Sequence, residues 1–309
     1  MATVRTLHRS DAHAVVERIV RRLDDDALVQ PLVNARLDQD ALYETILRAT
    51  NATWVATDES GIVGHLYAAV LGDVTQALAA WTGPDGASFD GDEVLAELVE
   101  IAGASWRHAG AISHYVWTLD DDERIGPWRR LGYTPLSVRG VMRLVEHDQH
   151  TLAPGLVLRA AVPSDIERIL ELDLVIDLAQ GEPGAPSRKD RNATRREILA
   201  LLEDPEVNHY VVEGEGRVLA QTITFPLPLR RGSFDHTLHL SEVVVDPTAQ
   251  GQGIAHAMID TVLENARRQG FEYVEAQWRV TNDQASSFWP RYGLTPTYVR
   301  LGHALDLGK

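Results

Sequence analysis

The sequence of 309 residues contains no cysteine, and this absence excludes several kinds of site. Without thiols the chain forms no disulfide bond, no zinc–thiolate centre and no cysteine nucleophile. Lysine is nearly missing as well: Lys189 and Lys309 are the only two among 29 basic residues, a bias typical of high-GC bacterial genomes. The net charge of -16 argues against a surface for nucleic acid or for an anionic membrane, because both need clustered cations.

Long apolar runs are absent too. No stretch of about 18 apolar residues is available for a transmembrane helix, and the first twenty residues lack the apolar core of a signal peptide. We therefore expect a cytoplasmic protein. Hydrophobic residues make up 44% and charged residues 24%, as in ordinary globular proteins, and the length predicts two domains.

The second half of the sequence repeats the first. At a constant offset of 161, identical residues recur in segments 127–144 and 288–305: Trp128, Arg130, Gly132, Pro135, Arg139 and Leu144 match Trp289, Arg291, Gly293, Pro296, Arg300 and Leu305. Segments 4–19 and 158–172 also match, each as a short strand followed by a Ser-Asp helix start. Repeats of about 150 residues are too long for solenoid units. They predict two copies of one domain, at residues 1–150 and 151–309.

Each copy has the pattern of an α+β fold, a mixed sheet flanked by helices. In the second copy we expect strands at 156–160, 209–213, 217–225, 238–245, 273–278 and 298–305, and helices at 164–177, 194–203, 253–269 and 283–292. Residues Gly181–Lys189 are rich in proline and glycine, and we expect them to form a loop. Such an architecture leaves the function open.

The most informative segment follows the strand 238–245. Asp246-Pro247 ends this strand, and Gln250-Gly-Gln-Gly-Ile-Ala255 leads into an amphipathic helix. Backbone N–H groups at a helix N-terminus, unhindered at two glycines, suit a phosphate or pyrophosphate. The segment is neither a Walker loop nor a dinucleotide fingerprint. A glycine-rich turn without a ligand is the alternative interpretation.

This segment resembles motif A of the GNAT superfamily of acyl-CoA N-acyltransferases, whose signature is Gln/Arg-x-x-Gly-x-Gly/Ala. Gln250, Gly253 and Ala255 occupy the three specified positions. The strand and Asp-Pro turn that precede motif A in the family are matched by Val243–Pro247.

A second segment strengthens the resemblance. Residues 282–294 are similar to the family's Asn-x-x-Ala-x-x-x-Tyr-x-x-x-Gly-Phe helix, with Asn282, Ala285 and Gly293 at the family's spacing. The resemblance covers about 155–305 and, through the repeat, the whole chain. The sequence is therefore identified as a tandem-GNAT two-domain member.

The resemblance implies acetyl-CoA (coenzyme A) as co-substrate and no metal. The backbone of Val243, Val244 and Val245 would pair with the pantetheine arm like an added strand. The pyrophosphate would bind the turn formed by Gln250, Gly251, Gln252, Gly253, Ile254 and Ala255. Asn282 would hydrogen-bond the pantetheine arm, cap the helix that follows, or do both.

Acyl transfer to an amine needs a general base. His239 matches a strand position where relatives carry the Glu or His that accepts the amine proton, and Glu242 is the second candidate. Strand alternation puts His239 and Ser241 on one face of the strand and puts Glu242 on the opposite face. A bulge, which is usual in this family, would shift this alternation. The alternative to a catalytic role is that each residue is an ordinary polar side chain of the strand, exposed to solvent or engaged in a salt bridge.

The proton donor to the thiolate departs from the family pattern. Relatives commonly have a Tyr seven residues after the Asn, where this sequence has Trp289 and its first copy has Trp128. An indole N–H donates a hydrogen bond but is not an acid near pH 7. Three possibilities remain for the thiolate: a proton from Tyr292, a proton from a water molecule, or departure without a proton. Tyr292 suits this role poorly, because it points away from the direction of Trp289 around the helix. For Trp128 we expect packing of its helix onto the sheet.

The first copy is expected to keep the fold without the cofactor motif. Segment 83–100, which aligns with the glycine turn, holds six acidic residues and no basic one. Carboxylates at a helix N-terminus repel a pyrophosphate. Asp121 also replaces Asn282, and Arg124 replaces Ala285. The acidic run either forms a solvated face or attracts a cationic substrate.

Together these features predict an acetyl-CoA-dependent N-acetyltransferase. It would transfer an acetyl group directly to a primary amine, of a small molecule by analogy, with general-base assistance, and the acceptor would enter beside loop Gly181–Lys189. We expect a monomer or homodimer without nucleic-acid or membrane partners. Two alternatives stay open: a non-catalytic acyl-CoA-binding sensor or interaction protein, and a protein N-terminal or lysine acetyltransferase.

Overall fold

The computed structural model describes residues 2–36, 38–72, 77–146, 150–180, 191–228 and 232–305. The chain divides into two compact units. Unit 1 comprises Met1–Arg139, Arg230–Ser233 and Pro296–Lys309, and unit 2 comprises Gly140–Leu229 and Phe234–Thr295. The domains 1–150 and 151–309 follow the sequence repeat and stay a prediction, whereas these units are not continuous along the chain.

Unit 1 is built on two sheets. Its elements are β1 (Thr3–Thr6), α1 (Ala12–Val29), α2 (Gln39–Arg48), β2 (Thr53–Asp58), β3 (Gly61–Tyr67), β4 (Ala69–Leu71), β5 (Ala79–Thr82), β6 (Ala87–Phe89), α3 (Asp92–His108), β7 (Ser113–Leu119), α4 (Asp122–Arg130) and most of β8 (Thr134–Arg143). One sheet has the order β1-β2-β3-β6, and in the other β5 lies between β4 and β7. Trp128 of α4 is 2% exposed and packs with Trp106 and Tyr133, as expected for a helix anchored on the sheet.

Unit 2 carries one sheet in the order β9-β10-β11-β12-β13. Its elements are β9 (Leu156–Ala160), α5 (Ile166–Gln180), α6 (Arg191–Glu203), β10 (Asn208–Gly214), β11 (Arg217–Pro226), β12 (Thr237–Val245), α7 (Ile254–Arg268), β13 (Tyr273–Arg279) and α8 (Asp283–Tyr292). The pairs β9–β10, β10–β11 and β11–β12 are antiparallel, and the pair β12–β13 is parallel.

The last strand of the second copy, β14 (Thr295–Ala304), belongs almost wholly to unit 1. Its residues Tyr298–Ala304 pair antiparallel with Leu119–Ser113 of β7. Residues from Gly140 onward lie in unit 2, where the Leu144 N–H donates to the Glu272 carbonyl at 2.8 Å. Segments 134–144 and 295–305 are alike in sequence. Either segment could therefore occupy the strand position beside β7, and in the structure segment 295–305 does so.

Apolar periodicity explains why the helices lie where they do. In α7, Ile254, Met258 and Val262 recur at helical spacing, and all three are at most 2% exposed. Ile254 and Met258 pack on Val245 of β12, and each such buried side chain contributes about 1.5–3 kcal/mol. The start of α7 is thereby fixed at the end of β12.

The mixed α+β fold class is confirmed. Every strand and helix predicted for the second copy is present, with bounds within three residues of those expected. The predicted loop Gly181–Lys189 lies outside the described residues. Within the described ranges, no helix combines the length and the apolar character needed to cross a membrane.

Candidate active site

Two parallel strands part in the sheet of unit 2. β12 and β13 pair from Thr237–Tyr273 to Leu240–Ala276 and no farther. Beyond this point β12 continues to Val245 and β13 to Arg279, and a cavity of about 310 Å³ lies between them. Its lining includes Ser241–Val245, Gln250, Ala255, Gln277–Arg279, Asn282, Gln284, Ala285, Phe288 and Trp289, with Val175 and Ile176 of α5.

The edge of β12 that faces this cavity presents backbone groups. The Asp246 N–H donates to the Leu219 carbonyl of β11 at 2.7 Å, and Val244 stands opposite Gln221 in the same register. Antiparallel hydrogen bonding alternates, so the N–H and C=O groups of Val243 and Val245 point away from β11 and toward the cavity. The Val245 carbonyl accepts a bond from Gln250 Nε2 at 3.2 Å. Strand addition is therefore possible along this edge.

The glycine turn joins β12 to α7 at one end of the cavity. Gly251 and Gly253 have φ values of +77° and +76°, a left-handed conformation that favours glycine. A Cβ atom at either position would meet nothing within 4 Å, so the space above both glycines is open. Helix α7 starts at Ile254 without a side-chain cap, which leaves its first amides for another acceptor. This is the geometry expected for an anion site.

Asp246 anchors the turn, and its partners were not evident in the sequence. Its buried carboxylate is paired with Arg168 of α5 and accepts from Arg217 Nη2 at 2.9 Å. Its other oxygen accepts from the Thr248 N–H at 2.8 Å. Both arginines are far away in sequence, so no local motif could reveal them.

A β-bulge lies at Ser241. On β11, Ile223 pairs with Glu242 and Thr224 with Leu240, so Ser241 is the extra residue. The bulge shifts the phase of the strand: His239, opposite Phe225, shares a face with Glu242, opposite Ile223. The expectation from simple alternation, that His239 and Glu242 lie on opposite faces, is therefore wrong because of the bulge.

The structure separates the two candidate bases in another way. Glu242 lines the cavity. His239 is not among the lining residues; its ring centroid lies 4.9 Å from that of Phe225, and its Nδ1 lies 3.7 Å from Glu275 Oε1. Glu275 is 1% exposed. His239 thus faces the buried carboxylate of Glu275. The two residues form the last but one pair of β12 and β13 before these strands separate.

Asn282 caps a helix at the edge of the cavity. It is the N-cap of α8, where its Oδ1 accepts from the Ala285 N–H at 3.0 Å, and it also lines the cavity. On the same helix, Trp289 lies against Trp278 of β13 with their ring centroids 6.5 Å apart. Trp289 is 7% exposed and forms part of the cavity wall.

Tyr292 is oriented away from this cavity, as its place on α8 predicts. Its hydroxyl donates to Asp260 Oδ1 on α7 at 2.5 Å. Asp260 also accepts from the His150 backbone N–H and lies 2.8 Å from His150 Nδ1. Burial, followed by the nearby Asp260 carboxylate, raises the pKa of Tyr292.

Unit 1 joins the corresponding strand and helix differently. β6 ends at Phe89 and α3 begins at Asp92, so Asp90 and Gly91 make the whole connection. In unit 2 the same connection runs from Asp246 to Gly253. Asp121 caps α4 through its own carboxylate, in the position where Asn282 caps α8. A glycine turn like that of unit 2 is missing here, and throughout the described residues no group of three or more His, Asp and Glu side chains is placed to hold a metal ion.

Comparison with known proteins agrees with this geometry. Residues 172–294 match the model of the Acetyltransferase (GNAT) family. A GCN5-related N-acetyltransferase of Sphaerobacter thermophilus has the same fold, with 17% identity, a TM-score of 0.63 and coverage of 98% of this chain and 96% of that one. A tandem GNAT protein from the clavulanic acid biosynthesis pathway is 15% identical with a TM-score of 0.57, over 100% and 99% of the two chains.

A third structural relative is one region of a larger protein. It is described as a glucosamine N-acetyltransferase region of a fungal multi-domain β-N-acetylglucosaminidase, and it is 16% identical with a TM-score of 0.58. The alignment covers 98% of this chain and 38% of that one. No curated protein matches the sequence. The fold is therefore that of GNAT proteins, including tandem ones.

Proposed function

We propose that the protein is an acetyl-CoA-dependent N-acetyltransferase of small primary amines, and the match of residues 172–294 to the acetyltransferase (GNAT) family model supports this proposal. The observation that carries the proposal is the cavity between β12 and β13, with open backbone groups along one side and the glycine turn at its end. Acetyl-CoA would supply the acetyl group as an activated thioester.

The residues present fit this co-substrate. The amides from Gly251 to Ala255 have open space above the glycines and would hold the pyrophosphate. Val243 and Val245 would hydrogen-bond the pantetheine arm through their backbone groups. The side-chain NH₂ of Asn282 remains for the same arm while its oxygen caps α8.

Glu242 is the general base in this proposal, because it lines the cavity beside the bulge. There it would take a proton from the attacking amine, directly or through one water molecule. His239 would not contact the amine, because its side chain packs against Phe225 and faces Glu275. The backbone next to Ser241, freed from the ladder by the bulge, would polarise the carbonyl that is attacked.

The departing thiolate receives no proton from a tyrosine of α8. Trp289 forms the wall where relatives have Tyr, and its indole can only donate a hydrogen bond. The Tyr292 hydroxyl is held by Asp260, and its pKa is raised rather than lowered. Water is the proton donor that remains.

The acceptor class is supported by the fungal relative, whose region is described as acting on glucosamine, a small amine. Coenzyme A release should therefore be measured with a panel of amino sugars, polyamines and amino acids, together with a lysine peptide and an N-terminal peptide. We expect turnover with a small amine. Turnover with the peptides alone would contradict the proposed acceptor class, and tight acetyl-CoA binding without any turnover would identify a sensor.

A further inference from the structure

A second cavity lies within unit 1, and its chemistry differs from that of the first. It measures about 130 Å³ and is bounded by α1, by the end of β6 and by α4. Its cationic lining consists of Arg18, Arg21, Arg22 and Arg124. At about 30 Å³ per water, the volume equals roughly four water molecules, which is far too small for coenzyme A.

This cavity occupies the place that the acetyl-CoA cavity has in unit 2. The matching pairs Arg5–Asp11 and Arg159–Asp165 align α1 with α5 at an offset of 154. At that offset Arg21 and Arg22 correspond to Val175 and Ile176, which line the cavity of unit 2. On the other wall Arg124 corresponds to Ala285, at the offset of 161. Apolar positions of one cavity are thus arginines in the other.

One wall of the cavity is hydrogen-bonded and electrically balanced. Arg18 forms two hydrogen bonds with Asp90, of 2.7 and 3.2 Å, and its Nε donates to Ser88 Oγ at 3.1 Å. Ser88 in turn lies 2.8 Å from Nδ1 of the buried His65. Arg18 therefore closes the cavity without adding charge to it.

The opposite wall has more positive than negative charge. The Nε atoms of Arg22 and Arg124 lie 2.9 and 3.2 Å from the same oxygen, Oδ1 of the fully buried Asp26. One carboxylate thus holds two guanidinium groups side by side. Beyond it, Arg22 Nη2 donates weakly to Thr118 Oγ1 at 3.5 Å, and the other Nη donors point past the carboxylate. Arg21 forms no ion pair with any described residue, and the exposed Asp25 at the rim is the only other acid that lines this wall. Three arginines face two carboxylates.

We propose that this cavity of unit 1 binds a small oxyanion, a carboxylate or a phosphate group. Guanidinium groups bind both through paired, charge-assisted N–H···O bonds, and they do so best where water is partly excluded. The bound anion would complete the charge balance of Arg21, Arg22 and Arg124. Unit 1 therefore replaces the cofactor cavity of unit 2 with an anion site, and this proposal does not depend on acetyl-transfer activity.

The test is calorimetric titration of the full chain with sodium phosphate and, separately, sodium acetate, at an ionic strength held constant with sodium chloride. The background is Gly253→Asp, which blocks the glycine turn of unit 2 as a competing phosphate site. Arg124→Ala places in unit 1 the residue that unit 2 has, and Arg21→Gln removes an exposed charge that supports no other residue. Arg48→Ala, at the exposed end of α2, is the matched control.

We expect one anion to bind in the Gly253→Asp background, with a Kd raised about tenfold or more by Arg124→Ala and by Arg21→Gln but not by Arg48→Ala. Tighter binding of acetate would identify a carboxylate ligand, and tighter binding of phosphate a phosphate ligand. The proposal is overturned if neither anion binds, if binding disappears with Gly253→Asp alone, or if Arg21→Gln and Arg124→Ala bind as well as Arg48→Ala does.

Discussion

The two units share a common pattern of strands and helices, although unit 1 has three short strands, β4 to β6, where unit 2 has only β12. They differ most where that part of the sheet meets the next helix. Unit 2 uses Asp246–Gly253, with two left-handed glycines and open space above them. Unit 1 uses Asp90 and Gly91 alone. The fold tolerates both connections because the helix is held by its apolar face and not by the turn. The scaffold can therefore keep its strands and helix with or without a glycine turn.

The largest effect should come from the glycine turn. Gly253 and Gly91 both precede a helix, both have positive φ, and a Cβ atom on either meets nothing within 4 Å. Gly253→Asp adds backbone strain and a negative charge at the proposed pyrophosphate site. We expect acetyl-CoA affinity to fall about a hundredfold or more, by titration calorimetry.

Gly91→Asp is the matched control: it adds the same charge before the helix of unit 1 and at least as much backbone strain, because Gly91 has φ +97° and ψ 159° whereas Gly253 is left-handed. It should leave acetyl-CoA affinity unchanged. Equal losses in the two variants would show that strain alone is responsible, or that unit 1 also holds the co-substrate.

The second largest effect should come from substitution of the general base. Glu242→Gln keeps the shape of a side chain that lines the cavity but removes its basicity, so turnover should fall about a hundredfold with little change in the KM for acetyl-CoA. His239→Ala should have a smaller effect, because His239 does not line the cavity. A larger loss of turnover in His239→Ala than in Glu242→Gln would reverse the two assignments.

The third prediction moves a residue of unit 1 into unit 2. Ala285→Arg reproduces Arg124 on the wall of the larger cavity and should weaken acetyl-CoA binding about tenfold by obstructing the space. Ser287→Arg is the control, because Ser287 is exposed on the same helix and does not line the cavity. Equal affinities for the two variants would contradict the place given to the pantetheine arm.

Tyr292 should matter for stability more than for turnover. Tyr292→Phe removes the hydroxyl that donates to the buried Asp260, and we expect a loss of about 1–3 kcal/mol in the free energy of unfolding. The kcat should stay within about twofold of the parent, by the argument that a tyrosine with a raised pKa and an engaged hydroxyl donates no proton. A tenfold fall in kcat would restore Tyr292 as the acid.

Local patterns predicted most of unit 2. The strand, the Asp-Pro end, the glycine turn and the Asn282 cap depend on neighbouring residues, so their spacing is visible in the sequence. The sequence could not show that Asp246 is held by Arg168 and Arg217, or that the bulge at Ser241 brings His239 and Glu242 to one face. Both depend on pairing with distant segments.

Membership of the final strands was also beyond sequence reasoning. The similarity of segments 134–144 and 295–305 revealed the repeat, but it also makes the two strands interchangeable. Which of them lies beside β7 depends on the path of the chain, and the structure places β14 there. The arginine cavity was missed for a related reason: Arg21, Arg22 and Arg124 come from two helices that only the fold brings together.

The smallest effect concerns a feature that the units share. Arg5 pairs with Asp11 in unit 1, and Arg159 pairs with Asp165 in unit 2, where it also reaches Glu213 at 2.6 Å. Hydrogen bonds from the arginine lower the pKa of each aspartate below 3.8. A carboxyl group with a lowered pKa in the folded state adds stability that is fully present above its unfolded pKa and is lost as the pH falls through its folded pKa.

Arg159→Gln should therefore cost about 1–2 kcal/mol at pH 7, and Arg5→Gln less, because Arg5 has one carboxylate partner where Arg159 has two. Denaturant unfolding at a series of pH values measures both costs. The difference between each variant and the parent should shrink as the pH falls below about 4, where the aspartates become protonated. A difference that does not change with pH would mean that the arginines act through packing of their side chains, and the two units would then share a shape and not an ion pair.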